Sequence, residues 1–330
     1  MFDALLVDDA SGSHEAEVRS LSVDDLPAGD VHVTVHHSSL NYKDALAVTG
    51  AGKIIRGELP FVPGIDVVGQ VETSESDAFS AGDWVIQTGW GLGEHRWGGY
   101  AQQMRLKSEH LVPLPEEMTP REAMIIGTAG YTAMLAVMAL EDHGAAPDDG
   151  EVVVTGASGG AGSMAIALLS QLGFDTVAST GSASAHDYLR ALGAARIVDR
   201  SEFEGGPERP MQSARWVGAI DAVGGDTLAT LIAEMQRHAS IAAFGNAGGH
   251  ELNTTVFPFI LRGVNLLGID SNTCPNDRRR VAWQRLADLL TDALYERVLS
   301  DVIGLHAIPA TAQSMLDGNI RGRVVVDVNA

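Results

Sequence analysis

Residues 152–162 read VVVTGASGGAG, three valines running into a turn in which four of the last seven residues are glycine. A helix-like stretch, SMAIALLSQLG, follows, and a second strand-like run begins about 20 residues after the first, as in a βαβ unit. Gly156, Gly159 and Gly162 satisfy GxxGxxG, a close relative of the dinucleotide fingerprint. A turn this bare lets backbone N–H groups and a helix N-terminus approach a pyrophosphate. The bland alternative is a tight strand-to-helix turn with nothing bound. Either way, strand, turn and helix in this order demand an α/β fold.

The flanking sequence agrees. Strand patterns fit 152–156, 175–179, 196–199, 217–221, 239–244 and 264–269. Helix patterns fit 119–126, 130–142, 160–172 and 183–192, the last two stopped by Gly173 and Gly193. This alternation predicts a doubly wound parallel sheet, a Rossmann fold. The first 120 or so residues have a different texture. VHVTVHHSSL puts Val31, Val33 and Val35 on one face, and FVPGIDVVGQVE and GDWVIQTG follow between glycine-rich turns. Thr119 and Glu122, with Pro120 at the first helical position, form a capping box that starts a helix. A last helix spans RRVAWQRLADLLTDALYERV, and GRVVVDVN reads as a strand. The chain is therefore expected to hold a β-rich domain at 1–124, completed by 272–330, and a Rossmann domain at 125–271.

The end of the second strand bears on which dinucleotide is bound. An NAD site places Asp or Glu there to hold the ribose 2′-hydroxyl. Here that end reads VASTGSASA, with no acid from Val177 through Ala185. The hydroxyls of Ser179, Thr180 and Ser182 suit a 2′-phosphate, and Arg200, after the third strand, supplies charge. NADP(H) is the expected cofactor. The letters from Thr155 to Gly162 also spell TGxxxGxG, a short-chain dehydrogenase signature, but no tyrosine has a lysine four positions on, and that reading fails.

With 43 acidic against 22 basic residues and a net charge of −21, the chain is unsuited to nucleic acid or an anionic membrane. An anionic ligand must be met locally, by helix N-termini and a few placed arginines. A single cysteine, Cys274, leaves no internal disulfide framework. The acidic start lacks the basic n-region of a signal peptide, no apolar run is long enough for a membrane span, and a cytoplasmic protein is expected.

A β-rich N-terminal domain before a mid-chain Rossmann unit resembles the medium-chain dehydrogenases/reductases, over nearly the full length. That resemblance implies a GroES-like catalytic domain. Zinc-dependent members carry a Gly-His-Glu segment and a catalytic cysteine in it, where this chain has PGIDVVG, with Ile65 and Asp66, and SLNYKD. Ile65 has no donor atom for a metal, and His32 and His36 on one strand face read as surface residues, so no metal is expected. SLNYKDALAVTGAGKIIR (39–56), TGWGLGEHRWGGYAQQMRLK (88–107), AMIIGTAGYTAMLAVMALE (123–141) and PFILRGVNLLGIDS (258–271) are similar to the acrylyl-CoA reductase (NADPH), or zinc-independent quinone oxidoreductase-like, family.

The resemblance implies NADPH-dependent reduction of the double bond of a short enoyl-CoA, acrylyl-CoA to propanoyl-CoA, by a homodimer. The alternatives are an NADPH:quinone oxidoreductase and a non-catalytic NADPH-binding protein. It further implies that Ser158, Gly159, Gly160, Ala161, Thr180, Gly181, Ser182, Arg200, Asn246, Ile260, Ser271 and Asn319 line the cofactor, with Tyr42 beside the nicotinamide. Some relatives have arginine in place of Ser182, which leaves Arg200 with more of the phosphate recognition. Tyr42 is the candidate hydrogen-bond donor to the substrate, with Asn41 orienting it. From the residues alone, Asn41 and Asp44 also read as a plain helix start. TGWGLGEHRWGG, with five glycines and two tryptophans, is either a packed hairpin turn or a cleft wall.

Overall fold

Alternation in VHVTVHHSSL buries Val31, Val33 and Val35 completely along a ten-residue strand, Val31–Leu40. That strand is the spine of a seven-stranded sheet. Its order is Leu299–Ile303, Arg323–Asp327, Val31–Leu40, Asp66–Ser74, Trp84–Thr88 and Val112–Pro113, with Gln103–Leu106 also paired to Val31–Leu40. All its pairs are antiparallel except the first. Phe2–Asp8 and Glu15–Leu21 form a separate antiparallel pair. These elements belong to the first of two compact units into which the computed structural model divides: Met1–Thr128, Ser271–Asp288 and Leu299–Ala330. The structure describes residues 1–9 and 12–330.

The second unit is Ala129–Asp270 with Leu289–Val298. Its six strands are all parallel, in the order Arg196–Asp199, Asp175–Thr180, Glu151–Val154, Trp216–Asp221, Met235–Ala243 and Asn265–Gly268. By position along the chain this is 3-2-1-4-5-6, the doubly wound order with a switch point beside the first strand. Val152, Val153 and Val154 are fully buried, as valines between two helical layers must be.

Two details differ from the sequence reading, the last helix and the domain boundary. The helices expected at 119–126 and 130–142 lie where Pro120–Asp142 stands, two helices in sequence that meet at a kink where Gly127 leaves helical geometry at φ 50°, ψ −161°. The first starts with the expected capping box: Thr119 N–H and Glu122 N–H each donate to the other's side chain, at 2.7 and 3.3 Å. By length and composition Pro120–Asp142 could cross a membrane, but the kink at Gly127 interrupts it and 83% of its most apolar window is buried, which makes it core structure. The last helix is two, Asn276–Leu289 and Asp292–Val298. The second of these packs on Gly160–Gln171, and Arg297 Nη1 donates to Ala191 O at 2.8 Å. Residues 289–298 thus group with the Rossmann unit and not with the first domain, and the boundary falls after Thr128 instead of at 124.

Candidate functional site: a glycine cleft and a buried polar cluster

In the second unit, strand ends at the switch point open a cleft of about 510 Å3. Thr155, Gly156 and Ser158 follow the first strand, Ser179–Gly181 end the second, and Val223, Gly224, Ala247 and Gly248 follow the fourth and fifth. The helix Gly160–Gln171 starts here with Gly159 as its N-cap. The glycines have separate jobs. Gly156 takes φ +59°, which favours glycine. A Cβ on Gly162 would stand 2.3 Å from Gly156 O and 2.8 Å from Ala157 Cα, so close helix–strand packing forbids it. A Cβ on Gly159 meets only Gly156 O at 3.4 Å, which leaves open space against the helix end. This is a cradle that a pyrophosphate fits.

Arg200 lies across Gly181: a Cβ there would come within 2.6 Å of Arg200 Nε. The guanidinium is largely exposed and pairs with Glu204 at 3.2 Å. Thr180 Oγ1 sits 3.3 Å from Ser158 Oγ, and Ser182 N–H donates to Thr180 Oγ1 at 3.2 Å. The structure therefore gathers Ser158, Thr180, Gly181 and Arg200 on one cleft, with Gly159, Gly160, Ala161 and Ser182 adjoining in sequence. Asn246 is exposed beside Ala247, and Ile260 is exposed on the helix Phe257–Arg262. Tyr42, Ser271 and Asn319 belong to the first unit.

Sequence reasoning missed Asp221. Buried beneath the glycine turn, it accepts from Thr155 Oγ1 at 2.6 Å and from Gly224 N at 2.8 Å, which ties the first and fourth strand ends together. Burial pushes its carboxyl pKa up. A short hydroxyl or acid at a strand end looks like any other turn residue until the strand order is known.

In the first unit, Asn41 caps the helix Tyr42–Thr49, and Asp44 Oδ2 accepts from Asn41 N–H at 3.0 Å, as the plain helix-start reading expects. The Asn41 amide does more. Its nitrogen donates to Asp66 Oδ2 at 2.9 Å and to Asp44 Oδ2 at 3.0 Å, while its oxygen accepts from Arg323 Nη1 at 3.0 Å. Asp66 also accepts from Ser39 Oγ and Thr128 Oγ1, each at 2.5 Å, and from Thr128 N at 2.9 Å. Tyr42, next in sequence, is 58% exposed. Asn41 is thus committed to a buried cluster, and it fixes the helix start from which Tyr42 projects.

Asp44 is pushed up to about 7, chiefly by burial and secondarily by neighbouring Asp66. Unfolded, an aspartate titrates near 3.9. A carboxyl held more weakly acidic in the fold stabilises it fully below about 4, and that contribution is lost as pH rises through about 7. The first unit should therefore lose stability between pH 4 and 7, with a slope of up to ~1.4 kcal/mol per pH unit. Asp44→Asn should flatten that slope. Four of the five tryptophans (Trp84, Trp90, Trp97, Trp283) lie in this unit, so urea unfolding followed by tryptophan fluorescence at pH 5, 6, 7 and 8 reads it. An equal slope in the variant would contradict the assignment.

Comparison with known proteins finds two family models: "Alcohol dehydrogenase GroES-like domain" over residues 27–116 and "Zinc-binding dehydrogenase" over 160–289. The chain is 52% identical to the probable acrylyl-CoA reductase AcuI of Escherichia coli, over 99% of both chains. It is 50% identical to the acrylyl-CoA reductase AcuI of Ruegeria pomeroyi, over the whole of both. Among solved structures, the yhdH oxidoreductase of Salmonella enterica in complex with NADP superposes with a TM-score of 0.96, at 51% identity over 99% of both chains.

The second family description raises zinc, and the donor set does not fit it. Ile65 is apolar, and both Asp66 oxygens already accept hydrogen bonds. His32 faces Glu72 at 3.3 Å and His36 packs edge-on against Trp84. Among the described residues no three His, Cys, Asp or Glu side chains gather as metal ligands.

Proposed function

The chain belongs to the medium-chain dehydrogenase/reductase family, in its acrylyl-CoA reductase branch, and on that footing we propose that it reduces acrylyl-CoA to propanoyl-CoA with NADPH. The observation that carries this reading is full-length identity of 50–52% to two acrylyl-CoA reductases. The cleft supports the cofactor independently, through its open helix N-terminus, its lack of an acid at the second strand end and Arg200 over Gly181.

Bound there, NADPH supplies a hydride to the β-carbon of the α,β-unsaturated thioester. The protein's part is to hold the charge that develops on the thioester oxygen and to see a proton delivered to the α-carbon. The exposed Tyr42 hydroxyl, at the first position of its helix, is the donor we assign to that oxygen. Asn41 acts through the buried cluster as a positioning residue. A homodimer is part of the reading: Val256, Phe257, Ile260 and Leu261 leave an exposed apolar patch beside the edge strand Asn265–Gly268. So is a cytoplasmic site, which suits one buried free cysteine.

The test is NADPH consumption with acrylyl-CoA, crotonyl-CoA and a benzoquinone. The expected order of kcat/KM puts acrylyl-CoA first, and turnover of the quinone alone would overturn the reading. Arg200→Ala tests the cofactor part. A charge-assisted contact to phosphate is worth roughly 1.5–3 kcal/mol, and exposure together with the Glu204 pair places Arg200 at the low end. NADPH should bind about ten-fold more weakly, with NADH unaffected. An unchanged ratio of the two dissociation constants would mean that Arg200 does not read the phosphate.

A further inference from the structure

The proposed hydride transfer leaves unused a group of cations around TGWGLGEHRWGG. Within the first unit they converge on a cavity of about 330 Å3, at the small end of the roughly 300–1,000 Å3 of ligand pockets. It has room for one part of a large substrate. Its floor is apolar, built by buried Leu26, Phe61 and Met104. Its wall carries three permanent cations, Arg96, Arg105 and Lys107, against one carboxylate, Glu58. Lys107 has only a loose, exposed partner in Glu109 at 3.7 Å. In a chain of net charge −21 this is a local reversal of sign.

A second observation points to a ligand. Gln87 lines the same cavity and is 2% exposed. Its side-chain nitrogen donates to Gly89 O at 3.3 Å, while its side-chain oxygen has no hydrogen-bond partner among the described residues. A buried acceptor without a donor is unfavourable and asks for an N–H from outside the protein. The loop that frames the cavity is tied down: Lys43 Nζ holds Glu94 at 2.8 Å, and Arg96 Nη1 holds Trp90 O at 2.8 Å. Lys43 is also the residue after Tyr42, so the cavity and the proposed donor share one framework.

We propose that this cavity receives the phosphorylated nucleotide end of the coenzyme A thioester. The adenine lies on the apolar floor with its amine toward Gln87, and the phosphates meet Arg96, Arg105 and Lys107. The proposal rests on the enoyl-CoA reading and gives it discriminating content, since a quinone has neither phosphates nor an amine to offer.

Arg105→Gln/Lys107→Gln is the variant of choice, because Arg96 also holds its own loop. With NADPH saturating, acrylyl-CoA is compared with acrylyl-pantetheine, the same thioester without the nucleotide. The ratio of kcat/KM for the two should fall about ten-fold in the variant. A ratio that stays the same overturns the proposal. A separate arm titrates adenosine 3′,5′-bisphosphate into the NADP-saturated protein. Binding that weakens about ten-fold in the variant, and also in Gln87→Leu, upholds the cavity assignment. No binding, or equal binding throughout, overturns it. Should wild type turn over neither thioester, the enzymatic reading fails by itself, and the bisphosphate titration alone decides the cavity.

Discussion

Arg323→Ala should destabilise the first unit by about 3–5 kcal/mol, the usual consequence of removing one partner from a buried charged cluster. Arg323 is 2% exposed, and its three nitrogens donate to Asn41 Oδ1 at 3.0 Å, Ser39 Oγ at 3.0 Å and Ile125 O at 2.8 Å. Its guanidinium stands 4.0 Å from Asp66, which with Asp44 puts two buried carboxyls in the same cluster. Truncation removes the cation, opens a void and leaves three acceptors short of a donor, each worth about 1–3 kcal/mol when buried. The close fit at Gly127 shows how little slack exists: a Cβ there would come within 2.5 Å of Arg323 Nη2 and 2.6 Å of Asp66 Oδ2. The measurement is urea unfolding by tryptophan fluorescence at pH 7. A midpoint that moves by less than ~1 kcal/mol equivalent would show that the cluster is dispensable to stability.

Gly159→Val and Gly162→Val should fail in different ways although three residues apart. At Gly159 the new side chain enters the open space at the helix end, where a pyrophosphate would approach two or more backbone N–H groups. Losing two charge-assisted hydrogen bonds at roughly 1.5–3 kcal/mol each weakens NADPH by on the order of 10²-fold or more. The fold survives, because the only close neighbour is Gly156 O at 3.4 Å. At Gly162 the side chain collides with backbone at 2.3 Å, so the strand and helix must separate and stability falls as well. Calorimetric titration with NADPH and thermal unfolding of both variants distinguish the two cases. Normal NADPH binding by Gly159→Val would reduce the motif to a mere turn.

What the sequence made legible and what it did not follow from the range of the interactions. The Rossmann unit was readable because its signals are local: valine runs, a glycine turn, and glycines that end the helices at Gly173 and Gly193. The expected strand at 196–199 lies where Arg196–Asp199 stands. The Thr119–Glu122 cap was readable for the same reason. The polar cluster under Tyr42 was not, because Arg323 meets Asn41 across 282 positions of sequence, and a lone arginine in a terminal strand carries no sign of its partner. Asp221 was invisible for the same reason, since only the adjacency of the first and fourth strands brings it to Thr155. The break between Leu289 and Asp292 was missed because apolar periodicity runs through it. Arg200 pairs with Glu204 four residues on, at 3.2 Å, and that exposed pair sets the size expected for phosphate recognition.

Hydride transfer to the β-carbon of acrylyl-CoA leaves an isotopic record in the product. The protein is incubated with acrylyl-CoA and NADPH carrying deuterium at both C4 positions, and the thioester product is analysed by mass spectrometry and NMR. The expected product is propanoyl-CoA with one deuterium, located at C3, and a solvent-derived proton at C2. Deuterium at C2, or no propanoyl-CoA from a preparation that oxidises the same NADPH with a benzoquinone, would contradict it.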